Sequence, residues 1–163
     1  MLHVGTVKTG STSLQAYFAE HQQALAEAGW CYLPAVGRPD RRDLAAACIA
    51  IDDQRDELLR ALRLVAPQQR LAFRQPVKAE LEAQLKAVPD ELGVILSSEH
   101  FHLSLQRPEE IETLKQLLSE LGFEVQQVVI YLREPLALIE SLFSTMVRSG
   151  DQRPLPADPA DPF

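Results

Sequence analysis

The sequence predicts an α/β domain with a mostly parallel sheet flanked by helices. Two observations carry this expectation. Short apolar runs alternate along the chain with longer segments whose apolar residues recur at helical spacing. The clearest runs, Val94-Ile95-Leu96 and Val128-Val129-Ile130-Tyr131-Leu132, are near-continuous, as expected of strands covered on both faces. Strands joined through helices make a parallel sheet with right-handed crossovers.

The elements follow in order. Leu2 to Val4 reads as a short buried strand ended by Gly5. A loop rich in hydroxyls and glycine leads into a helix with Leu14, Tyr17, Phe18, His21 and Leu25 on one face, stopped by Gly29. Trp30 to Leu33 reads as a second strand, closed by Pro34. Residues 35–43 read as a solvated polar loop holding Arg38, Arg41 and Arg42. Residues 53–65 read as a helix with Leu58, Leu59, Leu62 and Val65 inward, Arg55, Arg60 and Arg63 mostly off that face, and Pro67 as its end. Pro76 suits a first helical position, and Val77, Leu81, Leu85 and Val88 follow as the next stripe, closed by Pro89. Pro108, Glu109 and Glu110 open another helix, with acidic groups where the positive helix end favours them. Its core face is Ile111, Leu114, Leu117, Leu118 and Leu121, and Gly122 caps it. Residues 128–132 form the strongest strand. A last helix from Pro135 turns Leu136, Ile139, Leu142, Phe143, Met146 and Val147 inward and ends at Gly150.

The length, 163 residues, suits one domain. We place it at residues 1–150, followed by a Pro/Asp-rich tail at 151–163 that is expected to be extended or disordered. The net charge of −7 argues against a nucleic-acid partner, whose phosphates would call for clustered Lys and Arg. It does not argue against a small anion, which a few local cations and amide groups can hold. Cys31 and Cys48 lack a zinc-type spacing and read as free thiols. No apolar run reaches the ~18 residues of a membrane span. The N-terminus runs directly into Leu2-His3-Val4-Gly5, so a cytoplasmic setting without a membrane partner is expected.

In open parallel sheets ligands bind beyond the carboxyl ends of the strands. Three stretches lie there. The first, Gly5-Thr6-Val7-Lys8-Thr9-Gly10-Ser11-Thr12-Ser13, joins strand to helix. Its glycines allow tight turns, the first helical N–H groups lack internal partners, and Lys8 adds a full charge. That combination suits a phosphate and exceeds what helix capping needs. It does not match GxxxxGK[ST], because Lys8 precedes Gly10, which argues against ATP or GTP hydrolysis. The second stretch, Ser97-Ser98-Glu99-His100-Phe101, offers Glu99 as a general base and His100 as its competitor. A carboxylate that simply tips a strand is the plainer alternative. The third places Arg133 after the strongest strand and Ser141 eight residues on, in the following helix. Arginine grips phosphate bidentately and a serine hydroxyl adds a donor. An ion pair of Arg133 with Glu134 or Glu140, and a solvent-facing Ser141, are the plain alternatives.

The stretch from His3 to Gln15 resembles the 5′-phosphosulfate loop of sulfotransferases that use 3′-phosphoadenosine 5′-phosphosulfate (PAPS). Residues 129–135 with Ser141 resemble their 3′-phosphate segment. The resemblance spans roughly residues 1–150 and implies a fold related to the P-loop nucleotide folds. It implies that Lys8, Thr9, Gly10, Ser11 and Thr12 hold the 5′ end, that Arg133 and Ser141 hold the 3′-phosphate, and that Lys8 contacts the transferring group. Catalysis then falls to Lys8, Glu99 and His100. PAPS is the expected co-substrate, the acceptor hydroxyl or amine is unspecified (a carbohydrate is one candidate), and no metal is expected. Family members continue past this point with a segment over the adenine. A catalytically silent or truncated homologue therefore stands as an alternative, as does a P-loop small-molecule kinase with Glu99 as the one obvious magnesium ligand.

Overall fold

The computed structural model describes residues 1–53 and 56–150; the expected tail at 151–163 and Arg55 lie outside the described residues. The chain divides into two compact units, Met1–Tyr131 and Leu132–Phe163.

The first unit is an α/β fold. Its strands are β1 (Leu2–His3), β2 (Trp30–Tyr32), β3 (Gly93–Ser97) and β4 (Val128–Val129). They form one sheet in the order β2-β3-β1-β4, and every pairing is parallel. Leu2 faces Leu96 in one direction and Val128 in the other, so β1 is interior. The Trp30↔Gly93 pair seats an indole where any side chain at 93 would collide, with ring carbon 2.7 Å from a would-be Cβ. The ladder between β1 and β4 runs past the regular strands. Val4 N donates to Val129 O (2.9 Å), Thr6 N to Tyr131 O (3.1 Å) and Tyr131 N to Gly5 O (2.7 Å).

Between β1 and β2 lie α1 (Ser11–Glu20) and α2 (Gln22–Glu27). The sequence predicts one helix here, but His21 leaves helical geometry (φ −115°, ψ 36°) and separates the two. The expected apolar face is also not the buried one: α1 buries Ser11 and Gln15, while Tyr17 is exposed.

Between β2 and β3 lie α3 (Arg42–Cys48), α4 (Glu57–Ala61) and α5 (Pro67–Leu85). α3 packs against α5, and residues Leu44 to Ile49 are all buried. The expected helix over 53–65 shrinks to α4. Asp56 caps it, accepting from Leu58 N (2.7 Å) and Leu59 N (3.1 Å), and Arg63 enters the left-handed region (φ 59°) just after it. Val65 is exposed, not inward. Pro67 opens α5 instead of closing α4, and Pro76 lies inside α5 instead of starting a helix. Pro76 sits on the exposed side, where water can serve the carbonyl it leaves without a helical donor.

After β3 come α6 (His100–Leu103) and α7 (Pro108–Glu120). Leu114, Leu117 and Leu118 of α7 join the core as expected, but Ile111 is exposed. Glu110 is buried and binds three backbone donors: Ala50 N (2.9 Å), Gln106 N (2.9 Å) and Arg107 N (3.0 Å).

The reading of 128–132 as the strongest strand is corrected. β4 is a two-residue edge strand, and Val128 and Ile130 are exposed. An apolar β-branched run reports strand propensity, not centrality. The second unit contains α8 (Pro135–Arg148), capped by Glu134, which accepts from Leu136 N (3.0 Å) and Ala137 N (2.7 Å). Taken by itself, α8 buries none of the residues expected to turn inward.

Among the described residues, no helix is long and apolar enough to cross a membrane. Cys31 and Cys48 are free thiols, and burial pushes the Cys48 thiol up to about 12.

Candidate functional site

The parallel order puts the carboxyl ends of β1 and β3 side by side. The chain leaves β1 toward β2 and leaves β3 toward β4, so the two loops depart to opposite sides of the sheet. Open α/β sheets bind ligands at such reversals.

The loop after β1 is shaped by three residues with positive φ: Gly5 (99°), Lys8 (60°) and Gly10 (89°). Gly5 is needed for closeness as well as conformation. A Cβ there would stand 3.0 Å from Glu99 Cα, so glycine lets this loop lie against the end of β3. Lys8 is held in a left-handed conformation that lysine adopts only at a cost. Thr9 folds inward, its hydroxyl donating to Thr6 O (2.6 Å).

Gly10 caps α1 without a side chain to offer, and no acidic residue stands in the first turn. The first intrahelical bond into this end is Leu14 N to Gly10 O (3.0 Å). The N–H groups of Ser11, Thr12 and Ser13 therefore lack a helical acceptor. This differs from α4, α7 and α8, whose ends are served by Asp56, Glu110 and Glu134.

These donors border an open cleft of about 300 Å³ lined by Val7, Lys8, Gly10, Ser11, Thr12 and Glu99. Five of the expected site residues thus share one cavity. Two others in this unit do not line it. Thr9 spends its hydroxyl within the loop, and His100 starts α6 with Nδ1 3.3 Å from Ser104 Oγ. Burial lowers the affinity of His100 for a proton, opposed by the nearby Glu99 charge. Arg133 and Ser141 belong to the second unit, Arg133 before α8 and Ser141 within it. Backbone donors hold the Glu134 carboxyl below its usual range, with Arg133 adding to that.

A polar network missed in the sequence supports the cleft. Gln15 Nε2 reaches Glu99 Oε2 (3.3 Å) and Ser97 Oγ (3.2 Å), and Ser97 Oγ lies 2.7 Å from His3 Nδ1. Gln15, Ser97 and His3 are all buried. The available signal was the spacing of Ser11 and Gln15, four apart on one helix face directly after the loop. Burial lowers the proton affinity of His3, opposed by Glu99.

The expectation of a solvated loop at 35–43 is also corrected. Arg41 is fully buried. Its backbone N donates to Ser97 O (2.8 Å), its Nη2 lies 3.0 Å from Asp43 Oδ2, and its Nη1 donates to Gln84 Oε1 (3.0 Å) and Glu80 Oε1 (3.3 Å). Arg42 Nε pairs with buried Asp40 (2.9 and 3.1 Å). Arg41 therefore builds the fold beside β3. Arg38 remains on the exposed side.

Compared with family models, curated proteins and solved structures, the chain gives no match in any of the three.

Proposed function

We propose that the chain is a sulfotransferase that moves a sulfuryl group from PAPS to a hydroxyl or amine. The observation that carries this reading is the cleft in which Lys8, the uncapped start of α1 and Glu99 converge. A cation and free N–H donors suit a phosphosulfate, and a carboxylate at the same cavity suits deprotonation of an acceptor. The loop's departure from the nucleotide-triphosphatase pattern and its likeness to the 5′-phosphosulfate loop turn the reading from ATP toward PAPS. Arg133 and Ser141 enter as 3′-phosphate residues on the sequence resemblance alone.

PAPS supplies an activated sulfuryl group. The acceptor oxygen or nitrogen forms a bond to sulfur as the bond from sulfur to the 5′-phosphate oxygen breaks. Glu99 takes the acceptor proton. Lys8 and the N–H groups of Ser11 and Thr12 stabilise charge developing on the departing phosphate, and such preorganised donors are commonly the largest catalytic contribution.

The test is turnover of labelled PAPS with simple sugar, phenol and amine acceptors. Glu99→Gln should keep nucleotide affinity and lower turnover by roughly 10²–10⁴. Full turnover in that variant, with collapse in His100→Ala, would give the base to His100. Nucleotide binding without turnover toward any acceptor would favour the silent homologue.

A further inference from the structure

We propose that Gln15 is the positioning residue of the cleft: its side-chain amide aims the Glu99 carboxylate and fixes it to the helix that carries the phosphate-binding end. The inference rests on the reading of Glu99 as base. Gln15 is 2% exposed on a helix whose other residues, apart from Ser11, are exposed or half-buried. A primary amide is costly to bury unless its donors are used. Here both N–H groups have acceptors, Ser97 Oγ at 3.2 Å and Glu99 Oε2 at 3.3 Å. A charged carboxylate can only accept, so the amide must present nitrogen to it.

Gly5 lies against the Glu99 backbone, where a Cβ would stand 3.0 Å from Glu99 Cα. The backbone of Glu99 is thus set against the β1 loop, and its carboxylate is tied to α1 through Gln15. Glutamine suits this task because it is neutral. It orients the carboxylate without cancelling its charge, whereas lysine or arginine would weaken it as a base. Ser97, held in turn by His3 (2.7 Å), anchors the amide from below. Ser11 lines the cleft one turn before Gln15 on the same face of α1. One rigid element therefore sets both the phosphate end and the base, and catalytic groups held on such elements keep the geometry that turnover needs.

Two measurements on the full chain test this. In ¹⁵N-labelled protein, the Gln15 side-chain amide protons should shift on Glu99→Gln, the proton facing Glu99 moving more than the one facing Ser97. In turnover with PAPS and the same acceptors, Gln15→Met should lower kcat about 10- to 100-fold while affinity for adenosine 3′,5′-bisphosphate stays within about twofold. Combined with Glu99→Gln it should cost nothing further, because it acts through Glu99. Amide signals indifferent to Glu99→Gln would overturn the proposal, as would losses that multiply in the double variant. The amide measurement leaves Gln15 intact, so it decides even if Gln15→Met fails to fold. A wild-type chain that transfers nothing would sink the sulfotransferase reading, and the amide signals would still decide whether Gln15 holds Glu99.

Discussion

Single residues decide whether the cleft exists. Gly5 is the sharpest case, because it combines a positive φ (99°) with a would-be Cβ contact at 3.0 Å to backbone. Gly5→Ala should cost at least about 1–2 kcal/mol, the usual penalty for a left-handed conformation with a Cβ. It should also displace Glu99, because the added Cβ would meet Glu99 Cα and Cβ. Urea unfolding beside nucleotide titration checks this, and unchanged stability would mean that the loop does not approach β3 so closely. The buried imidazole of His3 and the half-buried imidazole of His100 make a separate prediction about pH. Burial lowers proton affinity at His3 and His100 below the ordinary 6.5, with Glu99 only partly opposing. The unfolded chain then binds more protons at these sites than the folded one. Their stabilisation is complete above about pH 6.5 and declines as pH falls through the window below it. Half-buried Asp43, pushed upward by desolvation, acts in the opposite sense, so the comparison must be between variants. Between pH 7 and 5, His3→Asn should lose less stability than the wild type. An equal or greater loss in the variant would show that His3 is not held neutral.

Secondary-structure elements were legible where one residue type served one purpose. β3 and α7 appeared in the sequence because an apolar strand and a leucine stripe each face a single core. α3 did not, because Leu44-Ala45-Ala46-Ala47-Cys48 is buried all round and carries no amphipathic period. β4 read as stronger than it is, since propensity cannot tell an edge from a centre. Pro67 and Pro76 were read as a stop and a start because proline marks both, and only packing decides between them. Helix ends also bear weight. Glu110 fills three backbone donors from a buried position. Glu110→Ala would strand all three, and at about 1–3 kcal/mol for each donor left unsatisfied the loss should be at least about 3 kcal/mol. Chemical denaturation that registers under about 1 kcal/mol would show that water replaces the carboxylate.

At the scale of the whole molecule, the all-parallel sheet is what turns scattered residues into a site. Lys8 and Glu99 are 91 positions apart, yet both follow neighbouring strands that run the same way. This much was readable, since alternation of strands and helices implies a parallel sheet and a parallel sheet gathers its carboxyl ends. The Gln15–Ser97–His3 support was not, because buried polar residues look in sequence like surface ones until their partners are known. A net charge of −7 does not oppose the proposed anion binding, since the cleft gathers Lys8 and uncapped N–H groups locally. The most direct measurement is calorimetric titration of the wild type and Lys8→Ala with adenosine 3′,5′-bisphosphate and with Mg-ATP. The bisphosphate should bind the wild type more tightly than Mg-ATP, and Lys8→Ala should weaken it about 10- to 100-fold, the loss of one charge-assisted contact. Equal or tighter binding of Mg-ATP, or bisphosphate affinity untouched by Lys8→Ala, would contradict a phosphosulfate site in the β1 loop.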